Sequence, residues 1–389
     1  MNASVTQQVA AVTLNEEYCS KCSICSSLCP FEAIKKEPET GKIVLEIEKC
    51  QVCGLCYSTC PAKAISSVYD DIDSLTGYLK RAKKEYDSNT LVIMCQGSTP
   101  DLGGVKKLFR VSKFIPLFVP CVGCLSEEVP LKALTMGIRK IHVLACDEDY
   151  CRFDKGSVVA GRKILALNLL LEQLGYGAEV INLKRNSLKV KLDRDKCITC
   201  GNCVFYCPYH AAKVEGGTAS FDLALCRGCG LCVALCPALA LELENWEMKR
   251  VSTLVSKLSL EMEKPKVLVF RCQWAVLPPV DEEFGSKVRA IDLPCAARVD
   301  FLHILEAFQN GIDGVLIAAC PEEECKQEKK GSKEAHHQVG VLKNRLSQIG
   351  LGDRLHFCFV APRYPEVFAQ ELRQFTEGIR VGSLMGEDK

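Results

Sequence analysis

The chain has no long apolar run: across its 389 residues no stretch approaches the roughly 18 uninterrupted apolar residues that a membrane helix needs. Its start, Met1 to Glu17, has neither a basic n-region nor an apolar h-region, so it reads as a cytoplasmic chain without membrane spans. Also missing are a G-x-G-x-x-G after a strand, a Walker loop, an H-E-x-x-H and a Ser/His/Asp constellation. On these absences no flavin or nucleotide site is expected on this chain, and no side-chain catalytic constellation. Charge of one sign is lacking too, since 49 basic residues meet 48 acidic ones and nothing marks a nucleic-acid surface.

Cysteine, by contrast, is abundant. With 26 cysteines and no secretion signal, the chain argues against a disulfide framework, because cytosolic thiols stay reduced unless a metal or cluster holds them. At 48% apolar residues, the composition supports real cores in two or three domains.

Four times the cysteines fall as C-x2-C-x2-C-x3-C-P: Cys19, Cys22, Cys25, Cys29; Cys50, Cys53, Cys56, Cys60; Cys197, Cys200, Cys203, Cys207; and Cys226, Cys229, Cys232, Cys236. This spacing is a ligand set for [4Fe-4S] cubes, in which three loop cysteines wrap one cube and the fourth, before proline, reaches its neighbour. The expected sets are Cys19, Cys22, Cys25 with Cys60; Cys50, Cys53, Cys56 with Cys29; Cys197, Cys200, Cys203 with Cys236; and Cys226, Cys229, Cys232 with Cys207. Structural zinc would pair two C-x2-C units across a longer gap, without a proline behind. Glycine follows the second cysteine in three runs (Gly54, Gly201, Gly230), where a missing Cβ lets backbone amides approach the sulfides. The first run has Ser23 instead, which predicts a potential for its cluster different from that of its repeat-mate.

A shift of roughly 174 to 178 residues superimposes the halves of the chain. Cys19 falls on Cys197, Cys50 on Cys226, Cys95 on Cys272, Cys121 on Cys295, and Cys146 with Cys151 on Cys320 with Cys325. The domains expected are a dicluster module at 9–68, a connecting helix at 69–89 and an α/β module at 90–185, then the same three at 186–243, 244–264 and 265–362. Residues 363–389, which have no repeat partner, are expected to form a terminal helix and a loose tail. The connecting helices share an apolar stripe at helical spacing: Leu75, Tyr78, Leu79, Ala82, Tyr86, and Val251, Leu254, Val255, Leu258, Met262.

In the α/β modules each scattered cysteine follows a short apolar run. Leu91 to Met94 lead to Cys95, Phe114 to Val119 to Cys121, and Ile141 to Ala145 to Cys146; Val267 to Phe270 lead to Cys272, Val288 to Leu293 to Cys295, and Val315 to Ala319 to Cys320. Helical stretches separate these runs, which predicts a parallel sheet whose carboxyl edge gathers three cysteines. Cys151 and Cys325, five residues beyond the third, complete four thiolates per module, a number that suits a [2Fe-2S] cluster. Cys124 aligns with Arg298: a candidate ligand in one copy stands where the other has a cation able to offset cluster charge. The competing reading makes Arg298 a surface residue and Cys124 a passive neighbour.

The paired runs resemble the bacterial-type dicluster ferredoxins, a resemblance that implies a compact pseudo-twofold β-α-β arrangement. Residues 90–185 and 266–362 resemble the delta, iron-sulfur subunit of the methyl-viologen-reducing hydrogenases that feed heterodisulfide reductase in anaerobes. The second copy carries this resemblance best, through Cys272-Gln273-Trp274, Pro294-Cys295-Ala296-Ala297-Arg298, Gly311 to Val315 and the Cys320/Cys325 pair. It departs where the family often has a cysteine after the tryptophan and this chain has Ala275; the first copy has Gly97 in place of the tryptophan. The resemblance implies one [2Fe-2S] cluster in such a module.

Taken together, the expected fold is α+β and α/β, a duplicated unit of a dicluster ferredoxin-like domain followed by a parallel-sheet [2Fe-2S] domain. The expected function is a non-catalytic subunit with four [4Fe-4S] and two [2Fe-2S] clusters that relays electrons within an anaerobic oxidoreductase complex. Its expected partners are a hydrogenase or dehydrogenase subunit and a flavin-containing heterodisulfide-reductase-like subunit, with no nucleic acid and no membrane span. The alternatives are a free polyferredoxin shuttling electrons between enzymes, and an iron-sulfur disulfide reductase in its own right. Cys358, in an apolar strand, reads as a buried inert thiol, Trp274 as core, and the scattered histidines as non-ligands.

Overall fold

The computed structural model describes residues 10–69, 72–98, 102–275 and 284–386, with side chains through Ile379, and divides into two units, Ala10–Ser187 and Leu188 onward. The ends of the chain that were read for targeting and tail, residues 1–9 and 387–389, lie outside the described residues.

The first unit opens with short elements. β1 (Val12–Leu14) pairs antiparallel with β4 (Ile65–Ser67), and β2 (Ile34–Lys36) pairs antiparallel with β3 (Ile43–Leu45). Between them stand two helices of five residues, α1 (Ile24–Leu28) and α2 (Leu55–Thr59). Three-residue strands and one-turn helices cannot hold themselves together by backbone hydrogen bonding alone. The buried side chains, among them Val12, Ile34, Ile43, Leu55 and Ile65, line cavities that also contain cysteines.

The connecting helix α3 (Ile72–Tyr86) then buries Leu79 and Ala82, and the Tyr78 hydroxyl donates to the Pro116 carbonyl. The α/β module follows as β5 (Thr90–Cys95), α4 (Leu102–Phe109), β6 (Ile115–Val119), α5 (Glu128–Thr135), β7 (Lys140–Ala145), α6 (Gly156–Gln173) and β8 (Ile181–Arg185). The four strands are parallel in the order β6-β5-β7-β8. From Leu91 to Cys95 the central strand β5 is buried throughout, the continuous apolar run expected where helices cover both faces of a sheet. Because β6 and β7 flank β5 on opposite sides, the chain reverses direction across the sheet beside β5. In open α/β sheets this switch point leaves a crevice at the carboxyl ends of the strands.

The second unit repeats the plan. β9 (Val190–Leu192) pairs with β12 (Leu241–Leu243) and β10 (Ala212–Glu215) with β11 (Thr218–Phe221), all antiparallel, around α7 (Asn202–Tyr206) and α8 (Leu231–Ala234). The helix α9 (Met248–Glu261) buries Val251 and Val255 and leaves Leu254 and Leu258 half-buried. A parallel sheet of order β14-β13-β15-β16 follows, formed by β13 (Val267–Cys272), β14 (Val288–Leu293), β15 (Gly314–Ala319) and β16 (Leu355–Phe359), with α10 (Phe301–Gln309) and α11 (Lys330–Ser347) as crossovers. Asp300 caps α10 by accepting from the Leu302 amide, and the His303 ring accepts from the Asp300 amide.

The segment after residue 362 forms the expected terminal helix, which is longer and more firmly docked than a segment without a repeat partner suggests. α12 (Pro365–Gly386) is a 22-residue helix with Phe368, Leu372 and Ile379 buried, and a Cβ on Gly314 would stand 2.8 Å from the Ile379 side chain. The apolar residues at positions 368, 372, 375 and 379 fall on one helical face, which is what docks it on β15 and β16. Leu372 is fully buried, so Leu372→Ala is expected to cost about 2–5 kcal/mol in guanidinium unfolding of anaerobically prepared protein. A change below about 0.5 kcal/mol, the surface-substitution range, would mean that the helix is not docked.

Candidate metal centres

Each C-x2-C-x2-C loop turns through left-handed backbone on both sides of its second cysteine. The preceding residues Lys21, Val52, Thr199 and Gly228 have φ of 58°, 50°, 55° and 61°, and the following residues Ser23, Gly54, Gly201 and Gly230 have φ of 67°, 75°, 79° and 79°. The glycines are therefore there first for backbone conformation, not only for room beside the sulfides, and Ser23 adopts the same turn at a steric cost. A short helix carrying the third cysteine starts after each of these turns, and in the first three runs the fourth cysteine ends it in extended backbone.

These turns gather the cysteines. One cavity is lined by Cys19, Cys22, Cys25 and Cys60, a second by Cys29, Cys50, Cys53 and Cys56, and a third by Cys197, Cys200, Cys203 and Cys236. For the fourth set, burial pushes the Cys232 thiol far up, reinforced by Cys229, Cys226 and Cys207 and then by Cys203 of the adjoining set. Burial likewise raises Cys56, with Cys53, Cys50 and Cys29 as the next causes. Cys22 and Cys200 are exposed, whereas Cys50, Cys53, Cys226 and Cys229 are buried, so each module has an outer and an inner set.

The sulfurs accept from backbone amides in a repeated pattern. Four residues after each fourth cysteine stands an alanine whose N–H donates to it: Ala33 to Cys29 at 3.3 Å, Ala64 to Cys60 at 3.4 Å, Ala211 to Cys207 at 3.4 Å and Ala240 to Cys236 at 3.3 Å. All four alanines are buried, and a larger side chain would hold the amide away from the sulfur. The sequence reading missed this C-P-x-x-A signal, although it recurs in every run.

In the first α/β module, Cys95 ends β5, while Cys121 and Cys146 follow β6 and β7, so the three sit on the carboxyl edge at the switch point. Together with Cys151 they close a hydrogen-bonded ring in which Cys95 and Cys151 each meet both Cys121 and Cys146. Donation from Cys121 and Cys146 pulls Cys151 down to about 2, while hydrogen bonding to Cys151 and Cys95 pushes Cys146 far up. In the second module Cys272 bonds Cys295 and Cys320, and Cys320 also bonds Cys325; hydrogen bonding to Cys272, with burial, pushes Cys320 up to about 12. All eight thiols are buried.

A helix starts at each of these sets. The Ser157 amide, at the start of α6, donates to Cys151 Sγ at 3.4 Å, and the Ser332 amide, at the start of α11, donates to Cys325 Sγ at 3.3 Å. A Cβ on Gly156 would lie 2.3 Å from Cys121 Sγ, and one on Gly331 would lie 2.7 Å from Cys295 Sγ. Only glycine lets the positive helix end reach the sulfurs. These Gly-Ser pairs also escaped the sequence reading, because their cysteine partners are distant in the chain.

Arg298 is not a surface residue: its side chain is wholly buried, and its Nη2 donates to the Trp246 carbonyl at 2.7 Å. Cys124, its counterpart, is buried near the Lys163 ammonium, which donates to Ser58 Oγ at 2.7 Å and to the Ser58, Leu125 and Gly123 carbonyls at 3.1, 3.1 and 3.4 Å. Trp274 is buried, and burial pushes the buried Cys358 thiol up to about 12. His142 stacks on Phe109 and His336 on Phe357, positions that belong to packing.

The family model described as methyl-viologen-reducing hydrogenase, delta subunit, matches residues 91–193 and 267–382, more than half of the chain. The chain belongs to this family. Its delta-type modules carry the two switch-point thiol sets, and a model described as 4Fe-4S dicluster domain matches residues 11–61 and 189–237, which hold the C-x2-C-x2-C-x3-C-P runs. The chain is 31% identical over 229 residues to a Methanosarcina mazei subunit of ferredoxin:CoB-CoM heterodisulfide reductase, across 57% of this chain and 28% of that protein. It is 28% identical over 126 residues to the vhu iron-sulfur subunit of the Methanococcus maripaludis F420-non-reducing hydrogenase, across 31% of this chain and 93% of that protein. The chain thus spans under a third of the reductase protein and nearly all of the small hydrogenase protein.

Among the described residues no three or more His, Cys, Asp or Glu have the spacing that would hold a single metal ion, and no helix is long and apolar enough to cross a membrane. Gly156→Ala or Gly331→Ala would drive a methyl group into a sulfur. If these sets hold iron-sulfur clusters, each substitution is expected to empty its own set, read as iron and acid-labile sulfide lost from that set alone while the dicluster signals persist. Full retention of iron would show that the helix start does not touch the site.

Proposed function

We propose that the chain is a multi-cluster electron-transfer subunit of a cytoplasmic oxidoreductase complex of heterodisulfide reductase and hydrogenase or dehydrogenase type. The observation that carries this is the adjacency of the thiol sets in the second unit: Asn202 of the outer loop donates to the Leu235 carbonyl beside the inner set at 3.1 Å, and the inner loop packs on the turn after Cys295, where a Cβ on Gly230 would stand 2.6 Å from Arg298 Cδ. Such a row suits conduction, whereas a catalytic centre needs one cage open to substrate.

The four dicluster sets would hold [4Fe-4S] clusters and the two switch-point sets [2Fe-2S] clusters. Bound there, these groups supply one-electron redox chemistry at potentials set by hydrogen bonding and exposure. The protein's contribution is to bury the thiols, donate amides to them and exclude water. Similarity to subunits of a heterodisulfide reductase and of a hydrogenase supports membership of a hetero-oligomeric complex; the partners proposed are a hydrogenase or dehydrogenase subunit and a flavin-containing heterodisulfide-reductase-like subunit.

In the first switch-point set, the ring of Cys95, Cys121, Cys146 and Cys151 closes without Cys124. Cys124→Ser is accordingly expected to leave the [2Fe-2S] absorption and EPR of that module unchanged, and a lost or altered signal would make Cys124 a ligand. Function is tested by native, strictly anaerobic isolation followed by mass spectrometry. Stable association with flavoprotein and hydrogenase or dehydrogenase chains is the expected result. A monomer reduced by many donors would identify a free polyferredoxin, and disulfide reduction by the isolated chain an enzyme.

A further inference from the structure

Arg298 occupies the junction between two of these thiol sets. It lies three residues after Cys295, at the end of a 3-10 turn, and its stem packs on the loop that carries Cys229 and Cys232: a Cβ on Gly230 would stand 2.6 Å from Arg298 Cδ and 3.2 Å from Cβ and Cγ. The guanidinium is wholly buried, yet only Nη2 is engaged, with the Trp246 carbonyl and the Met248 thioether; Nε and Nη1 have no hydrogen-bond partner among the described residues. The charges acting on it are those of Glu242, Asp300, Cys232 and Glu247. All three carboxylates already accept backbone amides, Asp300 from Leu302, Glu242 from Met248 and Glu247 from Asn245.

A buried guanidinium with free donors is costly unless an anion answers it. We infer that Arg298 is a positioning residue that answers the anionic cluster of the Cys226, Cys229, Cys232 and Cys207 set and raises its reduction potential. This inference rests on the cluster assignment above. An added electron makes such a cluster more negative, so a fixed cation beside it favours the reduced state.

The first unit provides the comparison within one chain. Cys124 stands where Arg298 would be, and the half-buried cation, Lys163, comes instead from α6 and is spent on four oxygens of Ser58, Gly123 and Leu125. The inner cluster of the second unit should therefore accept an electron at higher potential than its equivalent at Cys50, Cys53, Cys56 and Cys29.

The test is an anaerobic EPR-monitored redox titration of the full chain, with iron and sulfide measured on every sample. Arg298→Gln is expected to lower one [4Fe-4S] midpoint, that of the Cys226 set, while the Cys19, Cys50 and Cys197 sets stay put; Arg298→Lys, which keeps the charge, is expected to restore most of the shift. Iron-replete Arg298→Gln with every midpoint unchanged would overturn the inference while leaving the cluster assignment intact, whereas an iron-free wild-type chain would overturn the assignment. If Arg298→Gln does not retain iron, the wild-type titration decides, with Cys56→Ser and Cys232→Ser used only to assign the signals. Equal or reversed midpoints of the two inner clusters would then refute the role of Arg298.

Discussion

The structure depends on making the burial of many like-charged sulfurs tolerable. A thiolate moved out of water is strongly penalised, and thiolates crowded together penalise one another further, as the raised Cys56 and Cys232 thiols show. The chain meets this with whatever positive charge its backbone can supply. Alanine amides reach the fourth cysteine of each run, helix starts reach Cys151 and Cys325, and left-handed turns fold the loops tightly around each set. These partial charges lessen the penalty without cancelling it, since Cys56 and Cys232 stay raised, which leaves a share of the compensation to bound cationic iron.

The same constraint explains why the dicluster modules have so little regular structure. Their strands run three or four residues, and their buried apolar side chains line the cysteine cavities. Folding of these modules is then coupled to what the cysteines hold, as in other small metal-dependent domains. The α/β modules differ. Their parallel sheets carry cores of fully buried Val, Leu, Ile and Phe, and present the thiols on a finished edge at the strand-order switch.

Spacing made much of this legible. The cysteine runs name their sets because loop ligands lie close in sequence, and the strands were visible because buried parallel strands are continuously apolar. Contacts between distant residues were harder to see. Gly156 and Gly331 meet sulfurs supplied from other strands, and the burial of Arg298 against Gly230 is a tertiary fact that no local pattern encodes. The docking of α12 was masked because residues beyond 362 have no repeat partner to align with. The Ala33, Ala64, Ala211 and Ala240 signal was present in the sequence, but a small residue after proline looks ordinary until its amide is seen on a sulfur.

The most direct measurement is Mössbauer spectroscopy with iron and zinc quantification on the chain isolated without oxygen. The account predicts about 20 irons per chain, roughly four fifths of them in [4Fe-4S] environments and the rest in [2Fe-2S], all reducible in one-electron steps. A colourless, zinc-filled chain that does not respond to dithionite would contradict it.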